Sequence, residues 1–190
     1  MKNIKSNILL TFFCALLFFS IALPSSANAQ KRDYMTDAES ELVRDAQEID
    51  RRIDVLVKMI DRRFAIINNE TLKAEKNPEK WGEMPKGTRI ELLSDINKLL
   101  QKAIDDIDDV AAHNRMDSKL FPNAMKNLAA ASNKYLPKLK AVYDQSPDEK
   151  EKGLIIGATE FCNQIIEASA KVPKDLPKDD KKKKSKDDTK

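Results

Sequence analysis

The residues best placed to do chemistry are four aspartates and a histidine near the middle of the chain. Asp105-Asp106-Ile107-Asp108-Asp109 is followed by His113. Asp106, Asp109 and His113 are three and four residues apart, so on a helix they share one face. Carboxylates and imidazole on one helical face are the ligand types that iron or manganese takes in helical bundles, which makes these three the candidate metal site. Bundle sites of that kind repeat a Glu-x-x-His pair on separate helices, and this chain has one His and no such pair. A calcium loop needs a central Gly in a turn, whereas these aspartates fall inside a helical pattern. The competing role is ion pairing. If the helices on either side of a turn near Asn77 run antiparallel, Asp105 to Asp109 fall opposite roughly residues 48–60. Arg51 and Arg52 lie in that window. Pairing or plain solvation is the preferred reading, and no cofactor is assigned, because exposed charge runs usually do little.

Haem fares less well. Covalent attachment needs Cys-x-x-Cys-His, which is absent. A noncovalent site could use His113 with Met59, Met116 or Met125, but His113 closes a helix beside Asn114, where a protonated ring favours the helix C-terminus. Nucleophilic catalysis has no better footing: the one His lies on a different helix from Cys162, and no phosphate-binding Gly loop or HExxH motif occurs. The chain reads as a non-enzyme.

Three further residues are candidates for an interface. Gly153 and Gly157 flank the apolar Leu154-Ile155-Ile156, a spacing that lets a helix approach a neighbour closely. That neighbour is either the Ala129-Ala130-Ala131 run of the preceding helix or the same face of a second copy. Trp81, in a Lys-rich loop, either anchors a protein partner or folds back to cap the core.

Helices must position all of these. Thr36-Asp37-Ala38-Glu39 is a capping box, in which Thr and Glu reciprocally satisfy backbone N–H groups. Leu42, Ala46, Ile49, Ile53, Leu56, Ile60, Phe64 and Ile67 then recur at spacings of three and four. They predict one helix from Asp37 to about Ile67, roughly 45 Å long at 1.5 Å per residue. Within it Ile49-Asp50-Arg51-Arg52-Ile53 echoes as Ile60-Asp61-Arg62-Arg63-Phe64. The offset is close to three turns, which puts both Arg pairs on the same side. Thr88-Arg89-Ile90-Glu91 is a second capping box, opening a helix with Leu93, Ile96, Leu100, Ala103, Ile107 and Val110 on its apolar face. A third helix starts between Ser118 and Pro122 and carries Met125, Leu128, Ser132, Tyr135, Leu139 and Val142, with a kink expected at Pro137. Ser146-Pro147-Asp148-Glu149 reads as the start of the fourth, with Ser as N-cap and Pro at the first helical position. Leu154, Ala158, Phe161 and Ile165 follow, and Pro173 stops it. Short connections make sequential helices antiparallel neighbours. The expected fold is all-α, an antiparallel, up-down-up-down four-helix bundle over residues 30–173.

Residues 1–29 read as an export signal. Lys2 and Lys5 precede an apolar run from Ile8 to Leu23, and Ala27-Asn28-Ala29 offers small residues for cleavage before Gln30. The run is 16 residues, short of the roughly 20 that span a bilayer. At the other end, Lys174–Lys190 carries eight Lys and five Asp, with Leu176 its one large apolar residue, and is expected to be disordered. The full chain carries a formal charge of +3. Setting aside the signal and this tail leaves residues 30–173 slightly acidic, which supplies no charge argument for nucleic acid. The tail serves as a solubilising segment, with weak contact to an anionic envelope surface as the sharper alternative. Cys162 is the single mature cysteine, and its neighbours Phe161, Ile165 and Ile166 favour burial. These observations predict a periplasmic or extracellular protein with a binding, scaffold or envelope-associated role. A metal- or haem-binding bundle and a homodimeric spacer are the alternatives.

Overall fold

The computed structural model describes residues 32–71, 78–113 and 119–172. The expected signal, the Lys-rich tail and Met116 lie outside them. Five α-helices and a short 3-10 turn make up the described residues, with no strand among them: α1 (Asp37–Asp45), α2 (Ile49–Ile67), the 3-10 turn (Pro78–Trp81), α3 (Arg89–Ala112), α4 (Leu120–Asp144) and α5 (Glu149–Ala170). None of these helices is long and apolar enough to cross a membrane.

The two Thr capping boxes form as the sequence predicts. Thr36 accepts from the Glu39 N–H and Glu39 returns to the Thr36 N–H, and Thr88 and Glu91 repeat the exchange at α3. The single long first helix does not form. The chain breaks at Ala46-Gln47-Glu48, where Ala46 leaves helical geometry at φ −81°, ψ 79°. Periodicity could not reveal this, because Leu42, Ala46, Ile49 and Ile53 keep one apolar phase across the break. The break is held from outside the local sequence of α1: Arg52 Nε donates to the freed Ala46 carbonyl at 2.9 Å. Its consequence is long-range. On a straight helix Glu39 and Arg63 would stand about 36 Å apart; in the folded chain they touch, with Arg63 Nη1 2.5 Å from Glu39 Oε1.

The start of α5 also differs from expectation. Asp148, not Ser146, caps it, accepting from the N–H groups of Lys150 and Glu151. Ser146 is buried and donates its hydroxyl to Glu151 Oε2, which also accepts from Arg89 Nε at 3.1 Å. The first turn of α5, tied to α3 through Arg89, thus takes the hydroxyl that the local pattern offered as a cap. α4 runs unbroken through Pro137.

The core is continuous through the four long helices. Ile53, Leu56, Met59, Ile60 and Phe64 of α2 meet Leu93, Ile96, Leu99 and Leu100 of α3, Leu128, Tyr135 and Leu139 of α4, and Ile155, Ala158 and Ile165 of α5. Phe64 and Tyr135 stack with ring centroids 5.2 Å apart, and the Tyr135 hydroxyl donates to the Val57 carbonyl at 2.9 Å. α2 packs on α3 and α4, α5 packs on the same two, and α3 and α4 barely touch. α1 packs on α2 and on the 3-10 turn, outside that set.

Candidate functional site

Arg62 and Arg63 are the residues the sequence reading placed least well. Arg63 occupies the phase of Leu56, Met59 and Ile60 while Arg62 stands about 100° round the helix from it, and both are buried to about the same degree as those neighbours. Each guanidinium holds a different non-helical piece of chain. Arg63 Nη2 donates to the Tyr34 carbonyl at 2.7 Å and to Glu39 Oε2 at 2.7 Å, fixing the entry to α1. Arg62 Nη2 donates to the Glu83 carbonyl at 2.5 Å and its guanidinium lies over the Trp81 ring at 5.4 Å, fixing the loop before α3. Glu39 bridges the two, with Oε1 3.4 Å from Arg62 Nε, and Asp95 of α3 approaches Arg63 Nε at 3.7 Å. Two cations and two carboxylates therefore balance in a space where unpaired charge would be prohibitive. The signal was present in the sequence: Arg63 and Asp95 both sit on apolar phases, Arg63 after Leu56, Met59 and Ile60, Asp95 between Leu92, Ile96 and Leu99.

Trp81 belongs to this cluster. It is buried, with Lys58 Nζ 4.5 Å from its ring, so it caps the core and is not an exposed anchor. Gly82, at φ +58°, turns the chain directly after it and lets the loop pass within contact of Ala38 on α1.

The candidate metal residues do not converge. Asp106 is buried, accepts from Lys102 Nζ and lies 3.8 Å from Arg52 Nη1. Asp109 is exposed, with His113 Nδ1 of its own helix 3.3 Å from Asp109 Oδ1. Asp109 lies about 60° round the helix from Asp106, past the edge of the buried face, and His113, although near the phase of Asp106, is the C-cap residue at the exposed end of α3. Among the described residues no three His, Cys, Asp or Glu side chains come together as a metal site would require. Of the expected partners, Arg52 does reach Asp106, while Arg51 turns to Glu48 at 2.9 Å.

Gly153 faces open space, and Gly157 is a point of close approach within the chain. A Cβ there would stand 2.9 Å from Asn97 Oδ1 of α3. Asn97 Nδ2 donates to the Leu93 carbonyl at 3.0 Å and across to the Leu154 carbonyl at 2.8 Å. The neighbour admitted by the glycine is α3, not the alanine run of α4.

Cys162 is fully buried against Ser132 on the α4–α5 seam. Burial pushes its thiol from the ordinary 9.0 up to about 11, with the Ser132 hydroxyl opposing more weakly. A thiol whose folded value is raised stabilises the fold fully below about pH 9, and that stability is lost as pH climbs from about 9 to about 11. A shift of that size corresponds to about 2–3 kcal/mol. Burial likewise raises Tyr135 well above 10, adding a loss of the same sign at higher pH. Denaturant melts at pH 8 and pH 11 should show a smaller drop for Cys162→Ala than for the parent. Equal drops would assign the alkaline loss elsewhere.

An open cleft of about 530 Å³ lies where the C-terminal ends of α2 and α4 meet the start of α3. Ile67, Pro137 and Val142 supply apolar lining, and Asn69, Arg89 and Gln145 supply polar lining. Lys138 Nζ and Glu70 Oε2, also lining it, pair at 2.6 Å. That contact and the Asn68 amide hold the Glu70 carboxyl below its ordinary value. Sequence reading missed this cleft because its residues come from three helix ends with no shared spacing. No protein-family model, curated protein or solved structure matches this chain.

Proposed function

We propose that the chain is an exported, non-enzymatic binding or scaffold protein of the cell envelope, built on an up-down-up-down four-helix bundle. The observation that carries this reading is the fate of the buried charges. Arg62, Arg63, Glu39, Asp95 and Asp106 engage one another or neighbouring chain, so the groups most able to do chemistry are occupied in holding helices and loops together. The pattern of residues 1–29 supports export, and the Lys-rich tail supplies a weak contact for an anionic envelope surface.

Interhelical pairings support the bundle. Arg52 and Arg63 meet Asp106 and Asp95, in reversed order along α2 and α3. Asp54, Asp61 and Glu70 meet Asn127, Lys134 and Lys138 in the same order along α2 and α4. Arg89 and Asn97 meet Glu151 and Leu154 in the same order along α3 and α5. In this arrangement the chain still runs up, down, up, down, but two of the neighbouring pairs are parallel.

Native mass spectrometry of the protein recovered from its own host tests the proposal. A chain beginning at Gln30 and carrying no metal or haem is the expected species. Retention of residues 1–29, or a stoichiometric metal or haem mass, would replace this reading with an anchored or cofactor-carrying one. The same reading predicts that adding EDTA leaves the thermal midpoint unchanged, and a clear fall would restore the Asp106, Asp109 and His113 site.

A further inference from the structure

We infer that α1 is an exchangeable arm, which leaves its own Arg62 and Arg63 and docks on those of a second copy of this chain, with residues 37–67 of each copy drawn out as one continuous helix. The inference goes beyond the binding or scaffold reading above and does not depend on it. The fold-back of α1 has no local cause. Residues 37–67 contain neither Gly nor Pro, and the hinge residues Ala46, Gln47 and Glu48 are all good helix formers. Leu42, Ala46, Ile49 and Ile53 hold one apolar phase through the hinge. The bend also leaves α2 poorly started. Glu48 stands in its N-cap position and supplies no side-chain hydrogen bond, whereas Thr36, Thr88 and Asp148 cap α1, α3 and α5. Straightened, the chain would offer the N–H groups of Glu48, Ile49 and Asp50 the carbonyls of Arg44, Asp45 and Ala46. Taken by itself, the hinge favours the straight helix.

The dock opposes straightening. Glu39 is the one fully buried residue of α1, held by Arg63 Nη1 at 2.5 Å and Nη2 at 2.7 Å, with Arg62 Nε at 3.4 Å. Leu42 and Val43 add half-buried apolar contact to the core. A lone chain that straightened would take the Glu39 carboxylate away from both guanidiniums, a heavy penalty for buried charge. A second copy removes that penalty, because its own Glu39 offers the identical contact. Exchange keeps the buried ion cluster and relieves the bend in both chains.

The folded-back geometry also admits a two-fold pair. Glu39 meets Arg63 and Ala46 meets Arg52, so α1 runs antiparallel to α2. The midpoints of those two contacts fall at residues 51 and 49. Two straight helices laid antiparallel about one dyad near Asp50 would therefore place each Glu39 beside the Arg63 of the other copy. The core that α2 shares with the remaining helices runs from Ile49 to Phe64, to one side of that dyad. The two bundles then extend in opposite directions and leave each other room.

The test is light scattering on the mature chain, refolded from urea at concentrations from micromolar to millimolar, with amide exchange measured on each species. A dimer whose fraction rises with concentration is expected. Exchange at residues 48–50 should be slower in it than in the monomer, since those N–H groups enter a helix interior only when arms are exchanged. Glu48→Pro separates arm exchange from any other dimer. Proline fits the φ of −78° that Glu48 has at the bend but not a helix interior. The variant should weaken the dimer by about a hundredfold or more while leaving the monomer's melting midpoint in place. The amide comparison needs no variant, so it decides the matter even if Glu48→Pro folds poorly. A parent chain that stays monomeric up to millimolar concentration would overturn the inference. So would a dimer unmoved by Glu48→Pro, or one whose residues 48–50 exchange as fast as in the monomer. None of these results bears on the processed N-terminus or the metal content, so failure here is separable from failure of the export and non-enzyme reading.

Discussion

Replacing Arg63 by alanine is expected to cost about 3–5 kcal/mol of folding stability, read from urea melts at neutral pH. The size follows from what remains rather than from what is lost. Without the guanidinium, Glu39 keeps Arg62 Nε at 3.4 Å but forfeits both donors from Arg63, and Asp95 loses the cation at 3.7 Å. Both carboxylates are sealed from water, so they cannot recover their hydration without opening the structure. A stability of about 5–15 kcal/mol for an ordinary domain makes such a loss severe. Removing Glu39 as well should cost less than the two single losses together, because the double variant no longer buries an unmatched charge at that position. Additive losses, or a single-variant cost under about 1 kcal/mol, would show that the pair is not what holds this end of the fold. The Tyr34 carbonyl loses its donor too, so hydrogen exchange should rise across residues 34–45 in Arg63→Ala before it rises in α3 or α5.

The neighbouring residue tests a different force. Phe64→Ala should cost about 3–5 kcal/mol through lost transfer energy and the cavity left behind. Phe64 is fully buried and stacks on Tyr135, whose hydroxyl is tied to α2 through the Val57 carbonyl. The Tyr135 ring is therefore pinned and poorly able to collapse into the vacated space, which places the expected cost toward the upper end of that range. Phe64→Leu refills most of the volume and should recover well over half of the loss. A Phe64→Ala variant that melts within about 1 kcal/mol of the parent would mean the site repacks freely. Arg63 and Phe64 are adjacent in sequence and equally buried, yet the first loss is relieved by deleting a partner and the second is not.

The sequence made the helices legible where the signals are local. A Thr and a Glu three residues apart need only each other and one turn of backbone, so both capping boxes could be read directly. Apolar spacing identified the buried faces of α3 and α4 for the same reason, while on α5 the face turns by one residue, so that Ile155 and Cys162 are buried and Leu154 and Phe161 half-buried. Elsewhere the local pattern left a choice that contacts made. Ser146 has the look of a cap, but Asp148 takes that place and the Ser146 hydroxyl goes to Glu151, itself paired with Arg89. Ion pairing is the preferred reading for Asp106, and Arg52 and Lys102 do reach it. The close approach expected at Gly157 is made to Asn97 of α3 rather than to the alanine run of α4.

The candidate cleft was invisible in the sequence because Asn69, Arg89 and Gln145 are brought together only when three helix ends meet. The first helix is the sharpest case. Periodicity runs through Ala46 without a fault, and no Gly or Pro marks a stop, so only the capture of the Ala46 carbonyl by Arg52 shows that the chain turns there.

By itself, then, the sequence determined an all-helical chain, two of its helix starts, the faces that go inward, and an export-type leader as an expectation. Each of these depends on neighbours within a turn or two along the chain. Tertiary structure alone decided that α1 folds back, that two adjacent arginines go inside, and that the aspartate cluster is divided between core and solvent. Those outcomes depend on which charges and carbonyls meet between elements, from Arg52 and Ala46 six residues apart to Arg63 and Glu39 twenty-four apart. A buried charge is stable only where its partner arrives, and the partner's arrival is a property of the whole fold.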